Sequence, residues 1–142
     1  MWRYVYRAVD QDGRIIDLYV LKRRDLGAAK RFFGRAPAIH GTPDAVVTDL
    51  SPALGRAVRE LIPTAFHDTE QHANNRIEAD HAGLKARLRP MRGLKTDRTA
   101  SIIMRGHAFI QNLRRGHYAL GYENRTPHLR VAAAFDELAP VI

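Results

Sequence analysis

The chain opens on a strict alternation. Trp2, Tyr4, Tyr6 and Ala8 alternate with Arg3, Val5, Arg7 and Val9, and a period of two is what a strand produces. Asp12-Gly13 follows as a tight turn, because Gly accepts a positive φ, and a second strand rich in Ile, Val and Tyr runs from Arg14 to Leu21. The two strands predict a hairpin. The period then becomes helical: Asp25 can cap a helix carrying Leu26, Ala29, Phe32, Phe33 and Ala36, with Pro37 and Gly41 ending it. Ala45 to Thr48 reads as a short apolar strand leading straight into Asp49. Ser51 as N-cap and Pro52 at the first helical position open another helix, whose stripe is Leu54, Val58, Leu61 and Ile62.

Thr64 to Thr69 is weakly patterned and fits at most a short strand. Asn75 can cap a helix with Ile77, His81, Leu84 and Leu88 on its stripe, interrupted by Pro90 and Gly93. A long helix from Arg98 to Arg115 carries Ile102, Ile103, Phe109, Ile110 and Leu113, and a helical patch near Val131 to Leu138 closes the chain. A hairpin followed by α/β units predicts a single α/β domain over residues 1–142, a mixed sheet covered by helices.

Composition narrows the function. The 142 residues are 45% hydrophobic, which is globular, and no apolar run approaches the ~20 residues of a membrane span. No charged-then-apolar leader precedes the first strand. The absence of cysteine excludes disulfides and thiolate zinc sites and points to the cytoplasm. Lys plus Arg total 23 against 15 Asp plus Glu, a formal charge of +8. That surplus suits a polyanionic partner, and its concentration between Arg76 and Arg130 suits a face laid along phosphates.

Two acids stand out. Asp49 falls at the carboxyl end of a buried strand, where catalytic groups gather in α/β sheets, although it could merely help cap the next helix. Glu78 lies in the first turn of the Asn75 helix. A capping box with Asn75 and the helix dipole would both favour an acid there. Yet Lys85, seven residues on, projects from the same helical face, and Arg89 follows it. An acid aligned with cations makes sense if the acid holds a metal ion and the cations hold DNA phosphates.

The blocks WRYVYRAVDQDG, RRDLGAAKRFF, VVTD and NNRIEADHAGLKARLRPMRGLKT, in that order, resemble the insertion-sequence-six family of bacterial DDE transposases. The resemblance implies a ribonuclease H-like fold and a metal-dependent enzyme of DNA strand cleavage and transfer. It puts the second catalytic aspartate on Asp49 and the catalytic glutamate on Glu78, both as ligands of Mg²⁺ or Mn²⁺. Lys85 matches the basic residue that follows the glutamate, and Lys85, Arg87, Arg89 and Arg92 become the expected DNA contacts. Hard carboxylate oxygens are the right donors for such ions, and two-metal chemistry at phosphate is what they would serve.

A ribonuclease H-like sheet has three antiparallel strands before its first helix, with the first acid on the first of them; here two are visible. The resemblance therefore implies a chain that lacks its first, central strand and its first aspartate, and that is inactive by itself. None of Asp10, Asp12 (turn formers) or Asp17 (on the second strand, at the sheet edge) stands in the required place. The seven histidines offer no metal pair, and His81 fits a packed position better than a catalytic one. The partners implied are element ends and target DNA, with a second copy or an intact transposase, in the cytoplasm at the nucleoid. The alternatives are a non-catalytic DNA-binding remnant that modulates an intact transposase, and an RNA-binding domain.

Overall fold

The computed structural model describes residues 3–70, 73, 75–92 and 94–141, apart from the side chains of residues 76 and 80. The expected roles of Trp2 in the first strand, Gly93 as a helix breaker and the Arg76 side chain fall outside the described residues.

Strands β1 (Tyr4–Val9) and β2 (Ile15–Leu21) form the antiparallel hairpin, with Tyr6 opposite Tyr19 and a register irregularity between Ala8 and Val9. Its turn is organised by Asp10. The Asp10 carboxylate accepts the N–H groups of Asp12 at 3.0 Å and Arg14 at 2.9 Å, while Gly13 takes φ 84°. The turn-forming role of this acid is thereby explicit.

Helix α1 (Leu26–His40) is capped by Asp25, whose side chain accepts the Ala28 N–H at 2.8 Å. The expectation that Pro37 ends this helix is corrected: it continues to His40, and Gly41 ends it. A proline near a helix end forfeits one backbone hydrogen bond, and here the final turn closes regardless through the Gly41 N–H on the Pro37 carbonyl at 2.9 Å. Strand β3 (Ala45–Val47) and helix α2 (Pro52–Leu61) follow, then a short strand β4 (Phe66–Asp68) that pairs with β3 in parallel. Helices α3 (Asn75–Leu88), α4 (Asp97–Arg115) and α5 (Pro127–Leu138) complete the chain.

The hairpin is buried on both faces. Tyr6 on one face packs with Phe32 and Phe33 of α1 and Val58 of α2, and Val46 of β3 joins the same cluster. Leu18 on the other face packs with Leu84 of α3 and Met104 and Ala108 of α4. Helices thus cover both sides of the strands, as the mixed α/β expectation requires. The strands, however, do not form one mixed sheet: among the described residues β1 pairs only with β2, and β3 only with β4.

Two stripes differ from the expected ones. On α2, Leu61 points to solvent and Ala57 takes its place in the core. On α4, Ile102 is 60% exposed while Ala100, Met104, His107 and Asn112 turn inward. Asn112 is buried for a reason. Its carboxamide accepts the Ile15 N–H at 2.8 Å and donates to the Ile15 carbonyl at 2.9 Å. Asp17, expected at the sheet edge, is buried and faces the Arg35 guanidinium at 3.8 Å. Beyond α4, Gly121 takes φ 63° where the chain turns into α5 and lies against the Arg130 backbone.

Candidate active site and nucleic-acid interface

Asp49 emerges at the carboxyl ends of the parallel pair β3 and β4, one residue past Thr48. Its two oxygens have separate partners: Oδ1 accepts the Ser51 N–H at 2.9 Å, and Oδ2 accepts from Arg24 Nη2 at 3.0 Å. Ser51 occupies the N-cap position of α2 yet makes no side-chain cap bond. The aspartate, not the serine, thus engages the backbone at the helix start. Arg24 comes from the segment after β2, so the ion pair links the hairpin to the β3–β4 unit. An exposed pair of this kind contributes about 0–1 kcal/mol. The Tyr6 hydroxyl lies in the same field. Burial pushes its pKa up, and Asp25 and Asp49 act in the same direction against Arg24 and Arg31.

Glu78 is exposed in the first turn of α3. The helix already includes Asn75, which corrects the expectation that this residue caps it. Lys85 and Arg87 are exposed in the last turn, where cations complement the helix dipole. Arg89 is not on the same helix as Glu78, as the spacing had suggested. The helix stops at Leu88 and a 3₁₀ turn, Arg89–Met91, takes over, with Pro90 inside it. Arg92, with a left-handed φ of 52°, ends that turn. Lys85, Arg87, Arg89 and Arg92 all remain exposed. His81 is half-buried on α3, in keeping with a packed role.

Among the described residues no three His, Cys, Asp or Glu side chains converge on one point. The carboxylates are chemically suited to Mg²⁺, but both Asp49 oxygens are already engaged. The residues described do not by themselves make up a two-metal site.

Sequence reasoning missed three side chains around Asp49. Arg24 is its ion-pair partner. His67 of β4 hydrogen-bonds through Nε2 to the Thr48 hydroxyl at 2.8 Å. Arg59 of α2 lines the same open cleft of about 480 Å³, together with Asp49, Leu50, Gly55, His67 and Thr69. Only the last of the missed residues had a readable signal, since Gly55 and Arg59 fall one turn apart on α2.

A family model described as the DDE domain matches residues 1–117, which takes in Asp49, Glu78 and the four cations. The chain belongs to the DDE transposases of the insertion-sequence-six family. The transposase for the insertion sequence-like element IS431mec of Staphylococcus aureus strain Mu50 is 35% identical over 101 residues. The transposase for IS257 in transposon Tn4003, also of Staphylococcus aureus, matches to the same degree. Each match covers 67% of this DDE-domain chain and 45% of the relative, so the chain spans about half the length of the curated transposases it matches. No solved structure matches it significantly. No helix among the described residues of this transposase-family chain is long and apolar enough to cross a membrane.

Proposed function

We propose that the chain is most of a transposase catalytic domain of ribonuclease H-like architecture, a single domain over residues 1–142 that serves metal-dependent DNA strand cleavage and transfer. In this reading the strand that carries the first aspartate is not among the described strands, and the described residues need it to act. The observation that carries the reading is the divided sheet. The β1–β2 and β3–β4 pairs share the layer of α1 and α2, yet neither pairs with the other. One further strand between β1 and β3 would join them into a mixed sheet and bring an acid beside Asp49.

In this reading Asp49 and Glu78, with that third acid, hold Mg²⁺ or Mn²⁺. Such ions activate the attacking oxygen and stabilise the leaving one at a phosphodiester. Lys85, Arg87, Arg89 and Arg92 bind phosphates of the element ends and of target DNA. The open strand edges favour pairing with a second copy or an intact transposase, since unpaired edges recruit strands. A transposase of this kind works in the bacterial cytoplasm, at the nucleoid.

The test compares this chain with one extended by about 20 upstream residues, enough for one strand and its turn. Sedimentation and metal-dependent nicking are measured. The extended chain is expected to be monodisperse and to nick DNA, and Asp49→Asn or Glu78→Gln to abolish nicking. A monomeric, cooperatively folding, DNA-nicking 142-residue chain would refute the proposal. A second reading, a non-catalytic DNA-binding remnant, draws support from the engagement of both Asp49 oxygens by Arg24 and Ser51. It predicts that the extended chain binds DNA and transfers nothing.

A further inference from the structure

The cleft beside Asp49 has a chemistry that neither metal ligation nor helix capping uses. We infer that it is a subsite for one nucleotide of the DNA strand: Arg59 takes the phosphate, His67 Nδ1 accepts a hydrogen bond from the base, and Leu50 lies against the base or sugar. The inference rests on the transposase reading above and assigns a substrate position within it.

Place and size come first. The cleft opens at the carboxyl ends of β3 and β4, the edge where α/β sheets bind ligands. Its volume of about 480 Å³ far exceeds the ~30 Å³ of a water and falls within the roughly 300–1,000 Å³ of sites for small organic ligands.

Charge comes next. Asp49 is answered by Arg24, so its carboxylate does not repel an incoming anion at full strength. Arg59 makes no ion pair among the described residues, because the neighbouring acid, Glu60, is taken by Lys30 and Arg56. Their hydrogen bonds hold the Glu60 carboxyl below its ordinary range. Arg59 is therefore the cation available to a phosphate in the cleft, and a planar guanidinium fits that role.

The subsite uses the His67 tautomer that carries its proton on Nε2. The Thr48 hydroxyl has one hydrogen, which it donates to the Asp49 carbonyl at 2.9 Å. With that hydrogen so placed, the 2.8 Å contact with His67 Nε2 uses the imidazole proton. In that tautomer Nδ1 is an acceptor, and it makes no hydrogen bond among the described residues. Every DNA base carries an N–H donor on its pairing edge, so this acceptor tolerates any sequence. Gly55 sits beside both: a Cβ there would be in ordinary van der Waals contact with His67 Cε1 at 3.6 Å and Arg59 Nη1 at 3.5 Å. Imidazole and guanidinium are thereby gathered over one turn of α2.

Leu50 supplies the apolar element. It is 81% exposed at the rim, directly after Asp49. A bare anion site has no use for it, whereas nucleic-acid proteins use such side chains against bases.

The test uses the 142-residue chain and a short 5′-phosphorylated oligothymidylate, with affinity read by fluorescence anisotropy. The His67 ring Cε1–H is followed by NMR. Wild type should bind with Kd on the order of 10⁻⁴ to 10⁻⁶ M and shift the His67 signal. Arg59→Gln and Leu50→Ser, both at exposed positions, should keep the wild-type melting temperature and weaken binding about fivefold or more. Lys85→Gln should also weaken binding but leave the His67 shift at saturation intact.

Wild-type affinity in both cleft variants, with Lys85→Gln still weakened, overturns the subsite and leaves the transposase reading standing. Competition by inorganic phosphate as strong as that by the oligonucleotide overturns the nucleotide assignment. No binding of any DNA by the wild-type chain at low salt overturns both.

Discussion

Two glycines with similar backbones and opposite surroundings allow one packing energy to be isolated. Gly121 has φ 63°, and a Cβ built there would come within 2.3 Å of the Arg130 carbonyl oxygen and 3.1 Å of the Ala134 nitrogen. Gly13 has φ 84° with nothing within 4 Å of the corresponding point. Replacing either by Ala forces a side chain into left-handed backbone, at about 1–2 kcal/mol. Only Gly121→Ala also drives a methyl into the backbone of α5, which cannot rotate away as a side chain could. Overpacking of that kind costs about 1–3 kcal/mol more.

The expected losses are therefore about 2–5 kcal/mol for Gly121→Ala and about 1–2 kcal/mol for Gly13→Ala, against a total of roughly 5–15 kcal/mol. Urea unfolding measures both. With a slope of about 1–3 kcal/mol per molar, the midpoint of Gly121→Ala should fall on the order of 1 M below that of Gly13→Ala. Hydrogen exchange should localise the extra loss to α5. Equal midpoints would refute the reasoning, since they would mean that α5 yields without penalty and that its seat against Gly121 contributes nothing.

Asn112→Leu keeps the volume but strands two buried backbone groups of Ile15, which should cost about 2–6 kcal/mol in the same unfolding assay. Asn112→Asp sets an anion against the Ile15 carbonyl, which raises the pKa of the introduced carboxyl in the folded state. Its stability deficit should shrink as pH falls and the group protonates, and a pH-independent deficit would contradict the assigned bonds. Glu78→Gln should change stability by no more than about 0.3–1 kcal/mol, the worth of an exposed acid at a helix start, while abolishing strand transfer in the extended chain. DNA affinity should fall linearly in log–log form with salt, and Lys85→Gln should reduce the slope by about 1. The Arg3 hydrogen bond holds the Asp97 carboxyl below its ordinary range. Its contribution is thus present above the usual carboxylate pKa of about 3.9 and lost as pH drops through the lower folded value. Asp97→Asn should flatten stability in that window.

Much of the fold is legible in the sequence because it rests on local signals. Alternation marks the hairpin, Asp25 starts α1, and Ser51-Pro52 announces α2. The errors arise where tertiary contacts override such signals. Pro37 stays helical because the last turn has another bond to make. Ile102 faces solvent and Asn112 the core because α4 rotates to bring its carboxamide to Ile15, which hydrophobicity alone cannot foretell. At the site, the position of Asp49 follows from a strand running into a helix start. Arg24, Arg59 and His67 gather around it from three segments far apart in sequence, and no spacing rule connects them.

The bonds from Asn112 to Ile15 also bear on how this protein meets copies of itself. Ile15 lies on the side of β2 away from β1, and its N–H and C=O are the groups an incoming chain would seize first. Asn112 already satisfies both, and Arg115 holds the Gly13 carbonyl beside them at 2.9 Å. One carboxamide thus imitates a neighbouring strand for the length of a single residue. At that point the free edge of β2 is closed to strand addition by another copy.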